Sequence, residues 1–245
     1  MTGAGKTFEG RVLWIAGAGS GMGEATALRF ADEGASLVLV DLAADRLERV
    51  AAEATARGGK ADALAGDLRD PDTAARAGAL IAAKHGRLDM LVNCAGFNVP
   101  NRRWSQLTSA DANAVIQTNL TALFYTTTTA LPFMRARKAG LLVHIASTDG
   151  WRVGMTGGPA YSASKHGVVA MSHTINLEEA ANGIRSCVIC PGGVDTRFLN
   201  QRDSPPTAEQ REKLLRPRDI ANLIHYIASA PDYERFDEVV ITPMK

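Results

Sequence analysis

Branched and other apolar side chains gather in seven short runs: RVLWIA (11–16), SLVLVD (36–41), KADALAGD (60–67), LDMLVNCA (88–95), LLVHIAS (141–147), SCVICP (186–191) and EVVITP (238–243). Each has the length and composition of a β-strand. Between them lie longer stretches with helical patterning, over 21–33, 43–57, 71–84, 109–135, 159–182 and 217–229. Strands alternating with helices predict an α/β fold, a doubly wound parallel sheet with helices on both faces. The strand runs are apolar throughout rather than at every second position, as strands covered on both sides are. The segment 197–216, RFLNQRDSPPTAEQREKLLR, breaks this rhythm with two prolines and a dense mix of charges. It is read either as a mobile lid or as a solvated surface loop with a short helix.

Composition narrows the class. A chain of 245 residues, 46% hydrophobic, can bury one large core, and about 70–75% of its extended surface would be removed from water. One domain over 1–245 is expected, since no repeat, linker or low-complexity tract divides the chain. The 27 Lys and Arg against 26 Asp and Glu are interspersed, which leaves no basic footprint for nucleic acid and points to a small-molecule partner. No apolar run approaches the roughly 18 residues of a membrane span, and no signal-peptide pattern opens the chain. A cytoplasmic location without a membrane partner is the expectation. Cys94, Cys187 and Cys190 imply no disulfide framework. CVIC (187–190) has metal-ligand spacing, but in a strand an odd offset sends the two side chains to opposite faces, and no second Cys or His pair is at hand. No metal is expected.

Two glycine-rich stretches near the N-terminus could hold a phosphate. GAGKT (3–7) mimics the end of a Walker loop but lacks both the earlier glycine and the leading strand, and is read as a frayed terminus. GAGSGMG (17–23) follows RVLWIA directly and runs into a helical pattern. Its glycines, Gly17, Gly21 and Gly23, stand at G-x-x-x-G-x-G with Ser20 and Met22 among them. Glycine allows positive φ and close approach to a pyrophosphate, and a helix start offers free N–H groups. Eighteen residues past Gly23, Asp41 ends SLVLVD. A carboxylate there either accepts from the hydroxyls of an adenosine ribose or caps the next helix.

Further along, AYSASKHG places Tyr161 four residues before Lys165, with Ser147 fourteen before the tyrosine and Asn119 upstream. Together with AGAGSGMG, GDL, NCAG, TNL, IASTDG, YSASK and PGGVDT in this order, these motifs make the chain resemble the short-chain dehydrogenase/reductase family from about Phe8 to Lys245. The resemblance implies a Rossmann fold that binds a nicotinamide dinucleotide and moves a hydride between it and a secondary alcohol or ketone. The implied catalytic set is Asn119, Ser147, Tyr161 and Lys165. A phenol of pKa about 10 is a weak acid-base group at neutral pH unless shifted. Lys165, one helical turn on, shares the face of Tyr161, so its ammonium together with an oxidised nicotinamide is expected to favour the phenolate. Ser147 would hold the substrate oxygen, and Asn119 would help a water chain carry protons from Lys165 to solvent.

For the cofactor, the resemblance maps Asp67 and Leu68 to the adenine side and Asn93, Ala95 and Gly96 to the floor beneath the ribose. Pro191, Gly192, Val194 and Thr196 would hold the nicotinamide carboxamide, and Tyr161 and Lys165 would also reach the cofactor. The cofactor-binding part would be about 8–150 and the catalytic and substrate part about 145–245. Phe97, Asn98, Trp104, Asp149, Trp151, Met155, Phe198 and Leu199 lie in segments placed around the substrate, beside Ser147, and their mix fits a partly apolar, ring-containing molecule. Each aromatic is equally a core residue. Ala16 stands where the family usually has Thr, Cys94 replaces the usual second Asn, and the terminal Asp-Gly-Gly is missing.

Asp41 would repel a 2′-phosphate, so NAD is expected rather than NADP. Leu42 follows it without charge, and Arg46, the nearest base, is expected to pair with Asp45, Glu48 or solvent. Two other readings stay open: an NADP-dependent reductase of a 3-oxoacyl thioester or similar carbonyl, and a non-catalytic dinucleotide-sensing protein on the same fold. The long helices over 109–135 and 159–182 carry surplus apolar surface. By resemblance they would join subunits into a homotetramer or homodimer.

Overall fold

β1 (Val12–Ala16), β2 (Ser36–Asp41), β3 (Lys60–Ala65), β4 (Met90–Asn93), β5 (Gly140–Ile145), β6 (Ile184–Pro191) and β7 (Glu238–Ile241) pair in parallel, in the order β3-β2-β1-β4-β5-β6-β7. The structure is a computed structural model and describes residues 7–202 and 204–244, so GAGKT apart from Thr7 lies outside the described residues. Strands β1, β4, β5 and β6 are almost wholly buried, as their continuous apolar composition requires, whereas the edge strands β3 and β7 are only partly covered.

The sheet divides the core in two. On one face Leu13, Ile15, Leu37 and Leu39 pack against α1 (Gly21–Ala31), α2 (Ala44–Ala56) and α9 (Pro217–Ser229). On the other, Trp14, Val38, Leu91 and Leu142 meet α3 (Pro71–Lys84), α5 (Ala122–Arg137) and α7 (Pro159–Glu179). Cys187 belongs to the first core and Cys190 to the second, the opposite orientations expected of that spacing on a strand. Among the described residues no helix is long and apolar enough to cross a membrane.

Local signals account for the helix starts. Asp70 accepts from the Asp72 amide at 3.0 Å, and Pro71 fills the first helical position of α3, where its missing N–H costs nothing. Proline also opens α7 and α9. The unbroken helix expected over 109–135 is instead α4 (Ser109–Ile116), a five-residue π-helical turn over Gln117–Thr121, and α5. Asn119 sits inside that wide turn. Its Oδ1 accepts from the Phe97 amide at 2.7 Å and its Nδ2 donates to the Phe97 carbonyl at 2.8 Å, bonds that tie the turn to the loop after β4. The last residues of the helix expected over 159–182 tighten into a 3-10 turn at Ala180–Asn182, ended by Gly183 at positive φ.

The 197–216 segment carries a 3-10 turn at Arg197–Gln201 and a short α8 (Ala208–Glu212) with a Thr207–Gln210 capping box. Asp195 holds its base through Arg211 at 2.7 Å and Arg216 at 2.8 Å. Its first turn reaches the mouth of the cleft described next.

Candidate active site

The strand order reverses between β1 and β4, and at such a switch point the loops leaving the two strands diverge and open a crevice. A cleft of about 680 Å³ occupies this place, lined from the carboxyl ends of β1, β2, β4, β5 and β6. Gly17 leaves β1 at φ +85°, and a Cβ there would lie 2.5 Å from the Ala95 amide nitrogen. A Cβ on Gly23, in the first turn of α1, would collide with the Gly17 carbonyl oxygen. Only glycine at both places lets the start of α1 sit against the loop, with its amides turned to the cleft. Gly23 therefore shapes the cradle from behind rather than lining it. Ser20, Gly21 and Met22 do line it.

Asp41 does two things at once. Its Oδ2 accepts from the Gly19 amide at 2.9 Å and its Oδ1 from the Ala43 amide at 3.0 Å, which fixes the glycine loop and the turn into α2, and the residue still lines the cleft beside Leu42. Arg46 departs from expectation. It turns into the cleft, makes no ion pair with Asp45 or Glu48, and leaves its Nε buried without a hydrogen-bond partner.

Asp67 and Leu68 line the far end of the cleft, where Asp67 pairs with Arg69 at 2.6 Å, and the Arg69 guanidinium holds the Asp67 carboxyl below its ordinary range. Ala95, Gly96, Pro191, Gly192, Val194 and Thr196 line the floor and opposite wall. Asn93 does not. Its side chain is fully buried, bonded to His144 at 3.1 Å and to Thr126 at 2.8 Å, because the inward face of β4 is covered by α5. Burial pushes His144 down to about 3, so this support is a neutral one. The Ala16 and Cys94 departures leave the junction closed, with the Cys94 amide donating to the Ala16 carbonyl at 2.8 Å.

Ser147 and Tyr161 meet at the other end of the cleft. Ser147 ends the run leaving β5 and caps α6 (Thr148–Trp151), its Oγ accepting from the Asp149 amide at 3.1 Å. Tyr161 lies in the first turn of α7, its ring against that of Phe198 with centroids 5.9 Å apart. Lys165, buried one turn on, directs its Nζ to the Ile145 carbonyl at 2.9 Å and stands 5.7 Å from the centre of the Tyr161 ring. Lys165 alone, without an oxidised nicotinamide, does not lower the phenol. Burial pushes Tyr161 up to about 12 against the pull of its hydrogen bond with Ser147, and burial also brings Lys165 down to about 8. Desolvation wins because the ammonium bonds to a carbonyl rather than to the phenol. Asn119 is buried behind this group, with Nδ2 also donating to Ser164 at 3.2 Å, and it does not face the open cleft.

Of the substrate residues expected from sequence, Phe97, Asn98, Asp149, Phe198 and Leu199 are brought together with Ser147. Trp104, Trp151 and Met155 are not: they are 83%, 52% and 94% exposed and stand outside the cleft, because the turns at Trp104 and Met155 and the end of α6 at Trp151 leave those side chains in solvent. Sequence reasoning missed Arg102, Thr156, Gly157, Gln201 and Arg202, all lining the substrate end. Arg102 carried no signal, being a charged residue in an aperiodic loop. It is nonetheless buried, and it donates to the Gln201 carbonyl at 2.8 Å.

Such a switch-point cleft, glycine-cradled at one end and carrying a serine, tyrosine and lysine at the other, defines a dinucleotide-dependent oxidoreductase. The family model described as short chain dehydrogenase matches residues 11–206, and the chain belongs to that family. It is similar to the 3-oxoacyl-(acyl-carrier-protein) reductase FabG of Thermotoga maritima, 34% identical over 230 residues that cover 91% of this chain and 92% of that one. It is 30% identical over 224 residues to the cyclohexanol dehydrogenase of an Acinetobacter species, covering 91% and 89%. Among solved structures it is similar to an alcohol dehydrogenase from the archaeon Thermococcus sibiricus complexed with 5-hydroxy-NADP, with a TM-score of 0.85, 25% identity and coverage of 95% and 96%. The chain is an oxidoreductase acting between an alcohol and a carbonyl with a nicotinamide dinucleotide.

Proposed function

We propose that the chain interconverts a ring-bearing secondary alcohol and its ketone with NAD(H), with Tyr161 as the proton donor and acceptor. The observation that carries this reading is the meeting of Ser147 and Tyr161 at the mouth of a cleft whose other end is a glycine cradle. That cradle and the unpartnered Arg46 Nε fit an anionic dinucleotide. When bound, the cofactor would supply the hydride acceptor or donor and, when oxidised, a positive charge. Ser147 Oγ holds the substrate oxygen. Tyr161 gives that oxygen a proton or takes one, and Phe198 and Leu199 exclude water from the pair. Lys165 orients the site from below and offers an ammonium whose pKa of about 8 suits proton exchange near neutrality. The cyclohexanol dehydrogenase relative supports a ring substrate.

Asp41 supports NAD(H). At an effective dielectric near 20, one uncompensated charge about 4–5 Å from a 2′-phosphate costs roughly 3–4 kcal/mol before screening. Arg46 offsets part of this, which leaves an expected preference of about tenfold. The same Arg46, with the NADP-type ligand of the Thermococcus relative, favours the second reading, NADP(H). Steady-state kinetics on cyclohexanone and a panel of alcohols and ketones with both cofactors separates them. Arg46→Ala should widen the NAD(H) preference, and Asp41→Asn should narrow or reverse it. An unmodified protein that prefers NADP(H) overturns the assignment, and hydride transfer to no carbonyl at all would leave a dinucleotide-sensing protein.

The same reading has the chain form a homotetramer or homodimer through α5 and α7, where Phe124 and Leu177 are exposed.

A further inference from the structure

The substrate end of the cleft is not electrically neutral. Arg202 follows the 3-10 turn at Arg197–Gln201 and lines the cleft, half-buried. Its guanidinium makes no hydrogen bond or ion pair with any other described residue. Its field nevertheless acts on Tyr161 and on Asp149. A half-buried cation with no hydrogen-bonded anion among the described residues has a desolvation cost that a bound anion would relieve.

The main chain that carries the cation is held in place before any ligand arrives. The carbonyl of the preceding residue, Gln201, accepts from the buried Arg102 at 2.8 Å, and the Arg202 amide donates to the Leu199 carbonyl at 3.3 Å. Guanidinium matches a carboxylate through two parallel hydrogen bonds, and the anchored main chain keeps this one at the substrate end of the cleft. Asp149 does not fill the role. Its Oδ1 accepts from the Gly154 amide at 3.0 Å, and burial raises its pKa.

We propose that the substrate carries a carboxylate, seated on Arg202 while its carbonyl oxygen lies at Ser147 and Tyr161. The substrate class is then an oxo acid or hydroxy acid with an apolar ring or chain between the two groups. This inference rests on the reading of the cleft as an alcohol and ketone site.

The test uses matched probes, 4-oxocyclohexanecarboxylate and its methyl ester, with the full-length protein and whichever cofactor it prefers. The acid should be the better substrate in kcat/KM by about tenfold or more. Arg202→Ala should raise KM for the acid by roughly ten- to a hundredfold relative to KM for the ester, any change in kcat through Tyr161 falling on both probes alike, and Arg202→Lys should recover part of the loss. Equal use of acid and ester, or an equal loss on both in Arg202→Ala, overturns the proposal. Binding is read separately by titrating the cofactor-loaded protein with cyclohexanecarboxylate and cyclohexanecarboxamide. Tighter binding of the carboxylate, lost in Arg202→Ala, supports the proposal even if neither oxo probe is turned over, and equal affinity for the two overturns it. Failure of the underlying reading looks different: no turnover of neutral cyclohexanone or any panel ketone with either cofactor.

Discussion

The two ends of the cleft are built in opposite ways. The dinucleotide end presents main chain: Gly17 against Ala95, Gly23 against the Gly17 carbonyl, and amides of the glycine loop held by the Asp41 carboxylate. The substrate end presents side chains from three separate segments, with Phe97 and Arg102 from one, Asp149 and Thr156 from the second, and Phe198 and Arg202 from the third. One buried residue, Arg102, ties the first of these to the third through the Gln201 carbonyl. Main chain cannot be exchanged, so the first end tolerates no added methyl group at Gly17 or Gly23. The second can be rebuilt residue by residue without disturbing the sheet, which is how one fold comes to serve many substrates.

Tyr161 stands where the ends meet, and its loss gives the largest effect expected. Tyr161→Phe keeps the ring against Phe198 but removes the proton donor, so turnover should fall by roughly 10²–10⁴-fold. Dinucleotide affinity, read by quenching of tryptophan fluorescence, should be unchanged. Retention of more than about a tenth of the activity would remove Tyr161 from its role and join the two ends in some other way.

The comparison sharpens on two glycines. In Gly23→Ala the new methyl group meets backbone, and overpacking of this kind typically costs about 1–3 kcal/mol. A Cβ at Gly96 would meet only the Lys165 ammonium nitrogen at 3.7 Å and Asn119 Oδ1 at 3.9 Å, both ordinary contacts. Thermal denaturation should show a clear fall in Tm for Gly23→Ala and a much smaller one for Gly96→Ala. Equal losses would mean that the cradle is no tighter than the floor.

The smallest effect concerns Lys165, whose burial serves the reacting end at the expense of stability. Its pKa falls from 10.5 to about 8 on folding, so between those values the unfolded chain binds more protons and stability rises with pH. The increment is at most about 1.4 kcal/mol per pH unit. Tyr161 acts in the opposite sense: raised from 10.0 to about 12, it contributes stability below pH 10 that is lost as pH climbs toward 12. Urea unfolding of the wild type and of Lys165→Met between pH 8 and pH 10 isolates the lysine, since both proteins keep the tyrosine. The wild type should gain on the variant as pH rises, and a constant difference would mean that the ammonium is solvated.

What was legible in the sequence follows the same division. Seven strands and five of the six expected helices were readable because period and turn chemistry act over a few residues, and continuous apolar runs marked strands covered on both faces; the helix expected over 109–135 is split by the π-helical turn. The glycine loop, Asp41, Ser147, Tyr161 and Lys165 were legible because each sits at the end of a strand or in the first turns of a helix, where position along the chain already fixes position in space. Asn93 and Asn119 were visible as motif residues, but their duties were not. Partners 51 and 22 residues away decide that one supports β4 through His144 and the other pins the loop at Phe97. Arg46 was read as a solvent-facing helix residue and turned inward, Trp104, Trp151 and Met155 were read as pocket residues and face out, and Arg102 and Arg202 gave no signal at all. Local sequence determines elements and the residues at their ends. Which loop side chains converge depends on contacts between segments far apart in the chain, here the bond from Arg102 to a carbonyl 99 residues away, and only the tertiary structure settles those.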